Sequence, residues 1–94
     1  MPVYVDPLTP TRPSKQWPFR FGSHMIADTT MELHSMARRL GLKREWYQTR
    51  SVLPHYDISP GRRMAALRMG AIAINNKEVF RRIREVRRLQ EKAN

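Results

Sequence analysis

The chain has 94 residues, no cysteine and a formal net charge of +10, from 18 lysine and arginine residues against 8 aspartate and glutamate residues. This length predicts one domain, 1–94, with a modest core, and the lack of cysteine excludes disulfides and thiolate metal sites. No apolar stretch reaches the roughly 18 residues that a membrane helix needs, and the N-terminus lacks a signal-peptide pattern. We therefore expect a cytoplasmic protein that avoids membranes and favours a polyanionic partner.

The first third of the chain predicts two short strands around a proline-rich loop. Val3-Tyr4-Val5 is a β-branched and aromatic run, and His24–Ala27 is the second predicted strand. Residues 7–22 contain four prolines, which remove backbone donors and predict an extended loop. Three aromatic residues alternate with other residues near its end, which indicates an extended segment with its rings on one surface. These residues are Trp17, Phe19 and Phe21.

Three helices are predicted after these strands. Thr29 and Glu32 form a capping box, and the apolar spacing that follows predicts a helix over 30–40. Ser59 and Pro60 are typical N-cap and first helical residues, so a second helix is predicted up to Gly70. The basic C-terminal segment, 77–94, contains the third helix, predicted over about 77–90.

Two further short strands are predicted between the helices, at Glu45–Gln48 and Ala71–Ile74, with a loop over Thr49–Pro54. The resulting order is β-β-α-β-α-β-α. It predicts an α/β or α+β fold, in which a single-layer sheet of three to four short strands is packed by about three helices.

Several blocks of the sequence resemble a known family. They are Val3-Tyr4-Val5-Asp6, Ser23-His24-Met25-Ile26-Ala27-Asp28-Thr29, Glu32-Leu33-His34, Gly41-Leu42, Arg44-x-Trp46-Tyr47-Gln48, Pro54-His55-Tyr56-Asp57 and Gly70-Ala71. Together they are similar to domain-of-unknown-function family 4031, which comprises small bacterial and phage proteins. The resemblance covers about residues 1–75 and leaves out the basic last helix. Because the family has no assigned activity, the resemblance implies a shared arrangement of these residues and no function.

The first candidate site consists of imidazole and carboxylate side chains, which are ligands for zinc or manganese. Its members are His24, Asp28, His55 and Asp57, with Asp6 as an outlying carboxylate. If the first two strands are parallel neighbours, Asp6 and Asp28 both lie at strand ends where α/β sheets bind ligands. Carboxylates there would hold a divalent metal against a phosphodiester. The alternative is that these side chains cap a helix and hydrogen-bond to loop backbone.

The second candidate site is the start of the helix at Ser59. Arg62 and Arg63 lie in its first turn, where the helix dipole would normally favour carboxylates. Backbone N–H groups there, with His55 just upstream, would bind a phosphate. The alternative is ordinary capping with solvated arginines.

The third candidate site is the basic last helix, which would lie along a nucleic-acid backbone. Its arginines are Arg81, Arg82, Arg84, Arg87 and Arg88. The alternative is a solvated helix with ion pairs between neighbouring turns. Its narrow stripe of Val79, Ile83 and Val86 would pack either on the sheet or on a second copy in a homodimer.

Charge and spacing together favour a small basic protein that associates non-enzymatically with DNA or RNA through its arginines, and the resemblance implies a phage or bacterial source. The first alternative is an effector that docks on an acidic host protein. The second is a small metal-dependent nuclease or phosphoryl hydrolase that uses Asp6, Asp28, His55 and Asp57. No cofactor is predicted. The aromatic residues are predicted mainly as core, with stacking on single-stranded bases as the alternative.

Overall fold

The structure is a computed structural model that describes residues 2–93, and the side chains of residues 2–89. Within these residues it contains six strands, three α-helices and a 3-10 turn over Arg44–Trp46. The strands are β1 (Val3–Val5), β2 (Thr9–Pro10), β3 (Phe21–Ala27), β4 (Tyr47–Gln48), β5 (His55–Ile58) and β6 (Ile72–Ala73). The helices are α1 (Thr30–Arg39), α2 (Pro60–Arg68) and α3 (Asn76–Ala93). The α+β class is therefore confirmed.

The strands form one mixed sheet in the order β4-β5-β3-β1-β6, and β2 pairs with the beginning of β3. The prediction of three to four strands was too low, because β2 and β5 were not predicted. β2 has only two residues, and β5 is a four-residue run that is half polar, so neither has a clear strand signal of its own. β1 and β3 are antiparallel, with Val3 opposite Ala27 and Val5 opposite Met25. The prediction that the first two strands are parallel neighbours is thus wrong. Parallel neighbours need a crossover connection, usually a helix, and residues 6–20 contain no helix.

Alternation along the strands gives the sheet two different faces. The inner face carries the largest fully buried side chains of the protein, namely Val5, Met25, Tyr56 and Ile58. With Leu33, Met36 and Ala37 of α1 and Ala66 of α2, they form the hydrophobic core. The outer face carries His24, His55 and Asp57, because successive strand residues point to opposite sides. The core therefore leaves the polar residues of β3 and β5 on the opposite side.

The two predicted N-caps are present. The Thr29 hydroxyl accepts a hydrogen bond from the backbone N–H of Glu32, and the Ser59 hydroxyl accepts one from that of Arg62. Each satisfies a donor that the first turn of a helix cannot pair internally. Gly41, with φ of 77°, follows α1 in the left-handed region, as predicted for its end.

The proline-rich segment folds back on the sheet instead of forming an open loop. Thr9 of β2 pairs with Gly22 of β3, and the Thr11 N–H donates to the Arg20 carbonyl at 2.8 Å. The Trp17 indole N–H donates to the Thr11 hydroxyl at 3.1 Å. A Cβ at Gly22 would lie 2.9 Å from the Trp17 ring, so only glycine lets this ring approach the strand so closely.

α3 is attached to the sheet through Arg82. Its guanidinium carbon lies 4.1 Å from the centre of the Tyr4 ring, and its Nη1 lies 3.1 Å from Oδ1 of Asp28. The Tyr4 hydroxyl donates to the other oxygen of Asp28 at 3.3 Å. These contacts hold α3 beside the polar side chains of the outer face. In the described part of the chain, none of the helices has the length and apolar character needed to cross a membrane.

Candidate metal centre

Three of the predicted metal ligands meet on the outer face of the sheet. His24 of β3 lies directly opposite Asp57 of β5 in the antiparallel register. His55 precedes Asp57 by two residues on the same strand and therefore shares its face. Pairing of β3 with β5 is thus what assembles a site from residues that are 31 to 33 positions apart in the chain.

The potential ligand atoms converge on a small volume. Nε2 of His24 lies 3.6 Å from Oδ1 of Asp57, and Nε2 of His55 lies 3.5 Å from the same oxygen. One ligand atom from each of the three residues falls within 4.8 Å of the others. Zinc bonds of about 2.0–2.1 Å in a tetrahedron place ligand atoms about 3.3–3.4 Å apart. The two distances to Asp57 are close to this spacing, and the two imidazole nitrogens would move towards each other to complete it.

The orientation of His24 is fixed by Asp6. Nδ1 of His24 lies 2.7 Å from Oδ2 of Asp6. A carboxylate accepts hydrogen bonds and cannot donate them, so Nδ1 carries a proton. In the neutral ring, the lone pair is then on Nε2, which faces Asp57. A histidine held in this way by a carboxylate is the usual arrangement of a metal ligand.

His55 has an equivalent arrangement with a backbone partner. Its Nδ1 lies 2.9 Å from the carbonyl oxygen of Leu53, which can only accept, so its Nε2 also faces Asp57 with a lone pair. The two imidazole rings contact each other edge to face, 4.8 Å between their centres. Two lone pairs and a carboxylate oxygen thus face one another. A proton or a metal cation between these acceptors would satisfy them together.

Asp6 is itself held in place by several donors. Its Oδ1 accepts from the Ser23 hydroxyl at 2.9 Å and from the backbone N–H of His24 at 2.6 Å. Its carbonyl oxygen accepts from Nε of Arg63 at 2.9 Å. Burial raises the pKa of Asp6, but the hydrogen bonds from His24 and Ser23 outweigh it and lower that pKa overall. Asp6 therefore stays ionised while it orients His24.

The same contacts determine how easily protons occupy the centre. The hydrogen bond with Asp6 raises the pKa of His24 above its usual value, although partial burial opposes the change. The pKa of Asp57 is lowered, mainly by its interaction with His55. Without a metal, a proton on His24 satisfies the lone pair that faces Asp57. Protons and metal ions therefore compete for this position.

The centre has an accessible side. The side chains of His24 and Asp57 are 52% and 45% exposed, while that of Asp6 is 10% exposed. A cavity of about 120 Å³ lies against His24 and His55, and Ile26 with Val79 and Ile83 of α3 forms its apolar wall. Three protein ligands and an accessible fourth position are typical of catalytic zinc sites, whereas structural sites are closed.

Asp28 does not join this group. Antiparallel pairing of β1 with β3 brings Asp6 beside His24 and puts Asp28 beyond the opposite end of the pairing, where it binds Arg82 and Tyr4. The predicted association of Asp6 with Asp28 depended on parallel strands and is wrong for that reason. Asp28 instead has a structural contact with α3.

Comparison with known proteins identifies a family but no activity. The family model described as "Protein of unknown function (DUF4031)" matches residues 3–86. The chain belongs to this family. No curated protein and no solved structure matches it.

The family match extends beyond the resemblance seen in the sequence. It covers His24, His55 and Asp57 and continues into α3 as far as residue 86. The first part of the basic helix is therefore within the region that the family model describes, contrary to the narrower range of 1–75. Both walls of the metal centre, the sheet and α3, are included.

The predicted anion site at the start of α2 has many of its groups engaged. The Ser59 hydroxyl is buried and serves as the N-cap. Nε of Arg62 donates to the Leu40 carbonyl at 3.2 Å, and Nε of Arg63 donates to Asp6. Of the residues predicted there, His55 lies in the metal centre. The arginines of this turn thus support the fold around the centre.

The arginines of α3 are divided between internal and external contacts. Arg82 binds Asp28, Arg81 pairs with Glu78, and Arg88 lies 3.6 Å from Glu85. Arg84 and Arg87 are exposed. A basic outer surface remains on this helix, as predicted, but Arg82 mainly attaches α3 to the sheet.

Two contributors to the centre were missed in the sequence. The Leu53 carbonyl orients His55, and the Gln48 amide donates to Oδ2 of Asp57 at 3.3 Å. A backbone carbonyl has no signature in a sequence. Gln48 becomes relevant only through the register that puts it opposite His55.

Proposed function

We propose that this protein is a metal-dependent hydrolase that binds a divalent transition-metal ion, zinc first, through His24, His55 and Asp57. One observation carries the proposal. Two imidazole Nε2 atoms and a carboxylate oxygen meet, and the Nδ1 atom of each ring already donates to a fixed acceptor. Nitrogen and oxygen ligands of this kind suit zinc, and also manganese or iron.

Each side chain has a defined part in the reaction. His24, His55 and Asp57 hold the ion, which would activate water and polarise the bond to be cleaved. Asp6 positions His24 and keeps its Nδ1 protonated. Val79 and Ile83 on α3 limit the access of bulk water to one side.

The substrate class follows from charge. The net charge of +10 would concentrate polyanions near the protein, and exposed arginines of α3 lie on the helix that borders the centre. A phosphodiester is an anionic ester, and metal-dependent hydrolases commonly cleave such esters. We therefore expect the substrate to be a nucleic acid.

Metal titration of the whole chain tests the ligand set. Zinc binding, followed by calorimetry, is expected for the natural protein and is expected to be lost in His55→Ala. Asp57→Asn is expected to lose it as well, and Asp28→Asn is its matched control, because it removes a carboxylate from outside the centre. Absence of binding at millimolar zinc, or equal loss in Asp28→Asn, would contradict the proposal.

Cleavage of a labelled oligonucleotide then tests the activity. Product is expected with added zinc or manganese, none with chelator, and none for Asp57→Asn. Metal binding without cleavage of single-stranded or duplex DNA and RNA would reject the nuclease activity while retaining the metal site.

A second candidate function is non-enzymatic binding of nucleic acid. The exposed arginines Arg84 and Arg87 on α3 favour it. It predicts binding that weakens steeply with salt, with the affinity unchanged in His55→Ala. Docking on an acidic host protein stays a prediction of the charge alone.

A further inference from the structure

A cleft next to the candidate metal centre is walled by aromatic rings. It has a volume of about 430 Å³ and is lined by Trp17, Phe19, Trp46, Gln48, Asp57 and Arg62. We call it the aromatic cleft. Its size falls in the range of about 300–1,000 Å³ that small-ligand sites occupy. Phe19 and Trp46 are 37% and 41% exposed, so their rings are accessible to a ligand in the cleft.

Asp57 joins the cleft to the metal centre. Its Oδ1 faces the two histidines, and its Oδ2 accepts from the amide of Gln48. Both Asp57 and Gln48 line the cleft. Asp57 alone therefore separates one end of the cleft from the position of the metal.

The walls combine flat apolar surface with positive charge. The Trp17 and Phe19 rings meet edge to face, 5.0 Å between their centres, so together they make one rigid wall. The Arg62 guanidinium carbon and the Lys43 ammonium lie 5.9 Å and 5.6 Å from the centre of the Trp46 ring. Planar rings bind planar rings by stacking, and cations beside them attract phosphates.

From these contacts we infer that the aromatic cleft binds a base of a single-stranded nucleic acid whose phosphodiester reaches the metal centre. This inference rests on the proposed function and names its substrate. A duplex keeps its bases stacked on one another, so only an unpaired base would enter the cleft. Glu45 and Gln48 in the lining offer hydrogen bonds to the edge of the base.

Binding of labelled oligothymidine of about eight nucleotides, compared with an abasic strand of equal length, tests the inference. The measurement is made in chelator, so that neither metal binding nor cleavage contributes. The two strands carry the same number of phosphates and differ only in their bases. The natural protein is expected to bind the oligothymidine about 5- to 100-fold more tightly.

Variants assign this difference to the cleft. Trp46→Ala is expected to bind both strands alike, and Trp46→Phe is expected to retain most of the preference because a ring remains. Phe80→Ala removes another exposed ring, 63% exposed on α3, and is expected to retain the full preference. A circular dichroism spectrum like that of the natural protein shows that each variant is folded.

Three outcomes would overturn the inference. The first is equal affinity of the natural protein for both strands, and the second is an unchanged preference in Trp46→Ala. The third is binding of thymidine monophosphate as tightly as oligothymidine. Failure of the proposed function looks different. In that case zinc does not bind, whereas the preference for bases in chelator is still observed.

Discussion

The two faces of the sheet use the same strands for opposite purposes. On β5, Tyr56 and Ile58 point inward and are fully buried, whereas His55 and Asp57 point outward towards His24. The inner face also contains a histidine contact, since His34 of α1 lies 2.8 Å from the Tyr56 hydroxyl. The comparison shows that alternation along a single strand separates the residues of the core from the residues of the candidate metal centre.

The sharpest test of this separation compares two consecutive residues. Ile58→Ala is expected to lower the free energy of unfolding by about 2–5 kcal/mol, because it leaves a cavity in the core. Asp57→Asn is expected to change it by about 1 kcal/mol or less, because its contacts on the outer face are partly exposed. Urea denaturation in chelator measures both. A comparable loss in the two variants would show that the faces are not independent.

Adding zinc should affect the two variants differently. At a free metal concentration 100 times Kd, binding stabilises the folded state by about 2.7 kcal/mol. The natural protein and Ile58→Ala are expected to gain this amount, and Asp57→Asn is expected to gain little. Thermal denaturation with and without zinc gives the three differences. An equal gain in Asp57→Asn would mean that the metal binds elsewhere.

Asp6 connects the two faces, and its replacement is expected to have an intermediate effect. Asp6→Asn should weaken zinc binding by about 10- to 100-fold, because loss of the carboxylate releases the orientation of His24. It should also lower the pKa of His24, since the hydrogen bond to Asp6 is what raises that pKa. Nuclear magnetic resonance titration of the imidazole measures the second effect. An unchanged pKa of His24 in Asp6→Asn would contradict the hydrogen bond between the two side chains.

The contributions of His34 and His24 to stability are expected to change with pH in opposite directions. Burial, with Arg44 and Arg38 nearby, lowers the pKa of His34, so its contribution to stability is lost as the pH falls through its unfolded pKa towards the lower folded one. The pKa of His24 is raised, so its contribution is complete below the unfolded pKa and is lost as the pH rises through the folded one. This is the smallest effect that we predict.

Stability measured in chelator between about pH 8 and pH 5 separates the two contributions. Relative to the natural protein, His34→Gln should lose less stability on acidification, and His24→Gln should lose more. The quantity compared is the change with pH within each variant, so a uniform loss of stability does not obscure it. Changes of the same sign in both variants would contradict the assignment.

The elements with their own local signals were predictable from the sequence. Thr29 with Glu32 and Ser59 with Pro60 marked the starts of α1 and α2, because a cap depends on residues within one turn. The short strands were harder. β5 combines His55 and Asp57 with Tyr56 and Ile58, and its strand character comes from pairing on both sides with β3 and β4.

The residues of the candidate site were predictable from the sequence, but their arrangement was not. His24, His55 and Asp57 were identified by residue type, since imidazole and carboxylate groups are the natural ligands of zinc. Their meeting depends on the register of β3 with β5, and Asp6 replaced Asp28 beside them because β1 runs antiparallel to β3. Register between distant strands is a tertiary property that a single sequence does not contain.

Gly22 has a consequence for how the site can be altered. The absence of a side chain there lets the Trp17 ring rest against β3, and this ring is one wall of the aromatic cleft. A single methyl group at Gly22 would displace that wall without touching His24, His55 or Asp57. The width of the cleft can therefore be altered while the candidate metal centre keeps its residues.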